Sequence, residues 1–185
     1  MNKNIDVLQL IDSLQVGGAE VLAVNIANSL SKQGIVSHLC ATRTEGPLKE
    51  NIEPTVEYLF LERKKTVDIK CIYNLKNYLK KNNISIIHAH TTSYFMAICV
   101  KFIYPKLKVI WHNHTGNYLN LKGKRLLILK ILSKYINYII SVNHELYSWS
   151  KIILKNSKGC YVRNFPFFIN LQKKTKLFGL ERKRI

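Results

Sequence analysis

Ile5-Asp6-Val7-Leu8-Gln9-Leu10-Ile11-Asp12-Ser13-Leu14-Gln15-Val16-Gly17-Gly18-Ala19-Glu20 runs from a short apolar stretch through a pair of glycines into a helical pattern. The apolar stretch is a strand signal over residues 5–11, interrupted at Gln9. Beyond the glycines, Val21, Val24, Ile26, Ala27 and Leu30 form a broad apolar face over residues 19–32, and Gly34 supplies a left-handed stop. Strand, turn and helix in that order begin an α/β fold with a largely parallel sheet.

The same alternation continues outward. Strands are expected over residues 36–41, 56–61, 84–88, 108–111, 138–142 and 160–163, and helices over 68–81, 93–104, 124–136 and 145–155. The helices fill most gaps between strands, so the fold class is α/β, a parallel sheet flanked by helices. A length of 185 residues suits one ordinary core and is tight for two. Near the end, Asn164-Phe165-Pro166-Phe167-Phe168 leads into a basic stretch over residues 172–176 that reads as a linker or connecting helix. Residues 181–185 read as the approach to another strand.

Lys and Arg number 29 against 11 Asp and Glu, and the excess is confined to one part of the chain. Residues 1–68 hold seven basic and nine acidic residues, whereas the rest holds 22 and two. Nucleic acid, anionic lipid headgroups and phosphorylated small molecules all fit that field. Cys40, Cys71, Cys99 and Cys160 form no CxxC pair and read as buried thiols in a reducing compartment. The run at residues 7–11 lacks the cleavage site of a secretory signal. Lys101, Lys106 and Lys108 interrupt the most hydrophobic region, which leaves no stretch near the roughly 20 apolar residues of a membrane span.

At the first strand-to-helix turn, Gly17 as N-cap would leave the N–H groups of the opening helical turn free to face an anion. Glu20, three residues on, could fold back over that cap. The alternative is a tight turn whose glutamate simply caps the helix. The spacing is neither GxGxxG nor a P-loop.

Two His-x-His pairs, His88-Ala89-His90 and His112-Asn113-His114, follow predicted strands, so each pair presents two imidazoles on one side of the sheet's carboxyl edge. Such pairs can bind zinc, but acidic residues, the usual further ligands, nearly vanish after Asp68. No metal is expected; the other reading is a hydroxyl or phosphate held by one or two of the rings.

Taken together and in order, Val16-Gly17-Gly18-Ala19-Glu20, Ile86-Ile87-His88-Ala89-His90-Thr91, Val109-Ile110-Trp111-His112-Asn113-His114-Thr115-Gly116 and Ile139-Ile140-Ser141-Val142-Asn143 resemble the N-terminal domain of family 4 glycosyltransferases, over about residues 5–170. The resemblance implies a GT-B fold, in which two Rossmann-like domains face each other across a cleft. It implies sugar transfer with retention and without a metal or other cofactor. The N-terminal domain of the family chiefly meets the acceptor, and the C-terminal one holds most of the nucleotide sugar. Residues 1–165 are then the acceptor-side domain, and 166–185 a linker and the start of a donor-binding domain.

Carried over residue by residue, the resemblance puts Gly17 and Gly18 against the donor diphosphate. His114, followed by Thr115, is the first choice for the histidine beside the transferred sugar, and His112 the second. His90 and Glu20 lie toward the acceptor. Where members often show Asn-Gly after the last strand, this chain has Asn164-Phe165. The family's pair of glutamates has no counterpart, since only Glu181 follows Glu145, and the chain is therefore expected to be inactive alone. The implied acceptor is a bacterial surface polysaccharide, lipopolysaccharide or a lipid-linked precursor, with the protein in the cytoplasm or peripheral on the inner face of the membrane.

The basic segment over residues 122–136 fits that setting. On a helical wheel Ile128, Leu129, Ile131, Leu132, Tyr135 and Ile136 share one face and Lys130, Ser133, Lys134 and Asn137 the other. It is either a surface helix packed on the sheet or a helix lying on an anionic bilayer. A nucleic-acid-binding module is a competing class, without a reading motif or an aromatic platform. A metal-dependent hydrolase built on the two histidine pairs is another.

Overall fold

The computed structural model describes residues 6–155 and 158–163. Seven strands make one parallel sheet: β1 (Val7–Ser13), β2 (Ser37–Thr44), β3 (Glu57–Phe60), β4 (Ile86–His90), β5 (Lys108–Asn113), β6 (Tyr138–Ser141) and β7 (Gly159–Tyr161). Their order across the sheet is β3-β2-β1-β4-β5-β6-β7. Five helices connect them: α1 (Gly18–Lys32), α2 (Ile69–Lys81), α3 (Tyr94–Ile103), α4 (Gly123–Ser133) and α5 (His144–Ile153). The expected α/β architecture, a Rossmann-like parallel sheet flanked by helices, is the one observed.

Strand alternation sorts the core into two faces. Ile11, Leu39 and Ala41 face α1 through Ala23, Val24 and Ala27, in a cluster that Leu14, Leu48 and Val56 complete. Leu8, Leu10, Cys40, Ile87, Ala89 and Val109 point the other way, toward Ile72, Leu75 and Leu79 of α2 and Met96, Ala97 and Val100 of α3. A third cluster under α4 joins Ile98, Trp111, Tyr118, Leu129, Ile136, Ile139 and Leu154.

The order reverses between β1 and β4, where the chain leaves one half of the sheet for the other. In open parallel sheets this break opens a crevice at the carboxyl edge, the place where ligands bind.

Element ends depart from the sequence reading where tertiary pairing extends them. β4 and β5 each run two residues past the expected end, because in-register pairing of His88 with Ile110 and of His90 with His112 continues the ladder. Three short 3-10 turns, Pro47–Asn51, Thr91–Ser93 and Gly116–Asn120, have no counterpart in the predicted elements. The wheel drawn for residues 122–136 is also corrected: Leu129 and Ile136 are buried, but Ile128 and Ile131 are 53% and 50% exposed beside Lys130 and Lys134. Cys40 and Cys71 are buried as expected, while Cys99 and Cys160 are half-buried, and all four thiols are free. Ile5, the connector that opens at Asn164, the linker over 166–185 and the final strand-like segment lie outside the described residues.

Candidate active site

The turn between β1 and α1 is built as its sequence suggests. Gly17 is the N-cap with extended backbone, and Gly18 opens the helix. Glu20 folds back so that its carboxylate lies over Gly17, where a Cβ would meet Oε2 at 2.3 Å. Gly18 is different. A Cβ there meets nothing within 4 Å, and the residue has no left-handed backbone that would call for glycine. The fold does not need glycine at this position, which leaves the start of α1 bare and exposed.

A second loop supports this turn. A Cβ on Gly46 would lie 2.4 Å from the Leu14 carbonyl oxygen, and the Leu48 N–H donates to that oxygen at 3.2 Å. The Gln15 side-chain amide donates to the Glu45 carbonyl at 3.0 Å.

Asp12, at the end of β1, ties four segments together. Its carboxylate accepts from Arg63 Nη2 at 2.8 Å, from the Thr42 hydroxyl at 2.5 Å and from the Thr92 hydroxyl at 2.6 Å. The Arg63 side chain is 2% exposed, so the ion pair is largely removed from water.

Across the break in strand order stand the histidines. Gln9, His88 and Ile110 are paired across β1, β4 and β5, and His90 pairs with His112, so Gln9 and both histidine pairs share the face of α1. His88 and His112 lie nearly parallel with centroids 5.2 Å apart, His90 and His114 are 5.3 Å apart, and His112 and His114 are 4.1 Å apart. The four rings therefore form one stack at the carboxyl edge. His90 is completely buried and uses both nitrogens, Nε2 with Gln9 Oε1 at 2.9 Å and Nδ1 with His114 Nε2 at 3.1 Å.

Burial controls the charge of the stack. It pushes the His88 imidazole down to about 3, His112 to about 2 and His114 to about 4, with repulsion between the rings adding to the effect at His88 and His112. His90, buried among the other three, is also held well below its ordinary value. At neutral pH the cluster is an uncharged set of donors and acceptors inside a strongly basic protein.

Thr91, directly after His90, is a β-branched residue held at φ 51°, and its carbonyl accepts from Trp111 Nε1 at 2.8 Å. Such backbone costs on the order of 1–3 kcal/mol and persists where neighbours impose it, often at functional sites. The Ser93 hydroxyl, 2.7 Å from the Leu10 and His90 carbonyls, fixes the same turn to β1.

One ring nitrogen each from His88, His90 and His112 lie within 4.8 Å of one another, a spacing a metal ion could bridge. Three imidazoles are a donor set that zinc accepts, but ligation by His90 would break one of its two hydrogen bonds.

The structure thus brings His88, His90, His112 and His114 together and sets Gly17, Gly18 and Glu20 at the same carboxyl edge, one strand away. Gln9, Asp12, Thr91 and Thr92 were missed. Gln9 had a readable signal, a lone amide in an apolar strand. Thr91 had none, because positive φ at a threonine is imposed by its neighbours.

Solved structures share this architecture. A glycosyltransferase from Rickettsia africae is 14% identical over 99% of this chain and 51% of its own, with a TM-score of 0.68. Sucrose-phosphate synthase from Thermosynechococcus elongatus is 11% identical over 86% and 48%, with a TM-score of 0.65. HepE of Anabaena, solved in complex with UDP and glucose, is 16% identical over 95% and 50%, with a TM-score of 0.63. The chain spans about half the length of each of these structures. No curated protein matches its sequence. At such identities the likeness carries the fold, a Rossmann-like domain as found in GT-B glycosyltransferases. The profile of Glycosyltransferase Family 4 matches residues 16–151, a span that contains the glycine turn and both histidine pairs, and on that match the chain belongs to glycosyltransferase family 4.

Proposed function

We propose that this chain forms the acceptor-side wall of a retaining glycosyltransferase. The sugar comes from a nucleotide-sugar donor, and the acceptor is a surface polysaccharide or a lipid-linked glycan. The observation that carries the reading is the uncharged histidine stack beside the bare Gly18 turn, at the break in strand order. Neutral imidazoles suit sugar hydroxyls, which need hydrogen-bond partners and offer no charge. The free N–H groups at the start of α1 suit a diphosphate.

In this reading His114, with His112 behind it, orients the transferred sugar, and no metal takes part. Residues 1–165 are the acceptor-side domain, and residues 166–185 lead toward a donor-binding one. The test is transfer of labelled sugar from nucleotide sugars to glycan and lipid-linked acceptors. Absence of transfer by the whole enzyme to every such acceptor, or a transfer rate unchanged in His114→Ala, would refute the reading.

The same proposal places the domain on the inner face of an anionic membrane. Leu127, Ile128 and Ile131 of α4, together with Tyr135, stand exposed at 58%, 53%, 50% and 40% among Lys124, Arg125, Lys130 and Lys134. Apolar side chains between cations suit a lipid interface. No helix among the described residues is long and apolar enough to cross a membrane.

A further inference from the structure

Gln9 extends a buried amide to the histidine stack, and the contact gives the stack a direction. Its Oε1 lies 2.9 Å from His90 Nε2, and His90 Nδ1 lies 3.1 Å from His114 Nε2. An amide oxygen only accepts, so His90 carries its proton on Nε2. A neutral imidazole has one N–H, which leaves His90 Nδ1 bare and able only to accept. His114 must then donate from Nε2, and by the same rule its Nδ1 is bare. That nitrogen is buried and has no partner among the described residues.

We propose that Gln9 is a positioning residue: through His90 it fixes His114 as the Nε2–H tautomer, so that His114 meets a substrate hydroxyl as a hydrogen-bond acceptor at Nδ1. The inference rests on the proposed role of His114 in sugar transfer and adds to it the polarity of the contact. An acceptor at this point favours a group that brings its own proton, such as a sugar hydroxyl, and disfavours an anionic oxygen. The opposite polarity would follow if the Gln9 amide were turned, with Nε2 toward His90. Every donor in the chain would become an acceptor, and His114 would present N–H instead. The tautomer of His114 therefore reports the orientation of Gln9, with the His90 ring between them.

The experiment is long-range proton–nitrogen NMR on the chain labelled with 15N-histidine, which distinguishes a bare from a protonated ring nitrogen at each histidine. At pH 7.5 the expected spectrum shows His90 and His114 each as a single tautomer, protonated at Nε2 and bare at Nδ1. In Gln9→Met, similar in length but without the acceptor oxygen, His90 loses its fixed tautomer and His114 loses it with His90. His114 protonated at Nδ1 in the wild-type chain, or a His114 tautomer untouched by Gln9→Met, would overturn the proposal. If the variant does not fold, the wild-type spectrum decides alone. No sugar transfer is needed, so a failed transfer assay and a failed tautomer pattern remain separate results.

Discussion

Gly18 is a glycine that its own fold does not ask for, and this makes it a clean probe of function. Alanine there has room, and at the first position of a helix it should leave stability unchanged or raise it by about 0.5–1 kcal/mol, measured as a urea midpoint. In the whole enzyme the same Gly18→Ala change should lower sugar transfer at least about tenfold, or roughly 1.4 kcal/mol, because the methyl group would stand where the proposed diphosphate approaches. The histidine stack makes a second prediction, on pH. Its folded-state pKa values lie below that of an unfolded histidine, so below about pH 6.5 the unfolded chain binds protons that the folded one refuses. Stability contributed by the neutral stack is full above that pH and falls as pH drops toward 4. The slope approaches about 1.4 kcal/mol per pH unit for each ring that stays neutral. Equal urea midpoints at pH 7.5 and 5 would contradict it. At this scale the sequence disclosed the histidines and glycines, since their types and spacing are visible. It concealed Asp12 and Thr91, whose partners Arg63, Thr42 and Trp111 are distant in the chain.

Among the elements, the loops at the carboxyl edge depend on Asp12. Asp12→Ala leaves the Arg63 guanidinium in a buried position without its carboxylate, and it should cost about 3–5 kcal/mol in a denaturant titration. The double change Asp12→Ala with Arg63→Met should recover part of that loss, because the stranded charge goes with it. The strands and helices themselves were legible, because alternation and helical periodicity are local signals. Their carboxyl ends were not: β4 and β5 are prolonged by pairing with each other, which a polar His-Ala-His run does not announce. Helix α4 misled for another reason. Its apolar residues cover more than one face, so the wheel marked a hydrophobic side without showing that Leu129 would face the sheet and Ile128 and Ile131 the solvent.

Over the whole molecule, a sequence rich in basic residues after Asp68 accompanies an uncharged site, and the two features call for different partners. The outward face of α4 predicts that the chain binds vesicles containing anionic lipid more tightly than neutral vesicles or duplex DNA, as measured by co-sedimentation. Lys130→Glu with Lys134→Glu should weaken that binding by at least about tenfold, since each cation contributes roughly 1 kcal/mol at an anionic surface. Preference for DNA would favour the nucleic-acid reading instead. The site itself is tested most directly by titrating the 15N-labelled chain with a panel of surface-glycan oligosaccharides and lipid-linked saccharides while following its amide and imidazole resonances. An acceptor-side wall predicts that at least one glycan shifts Glu20 and His90, together with His112 and His114 beside them, and leaves α2 unmoved. If every glycan leaves these residues still, or shifts only residues remote from the carboxyl edge, the chain is not the acceptor side of a glycosyltransferase.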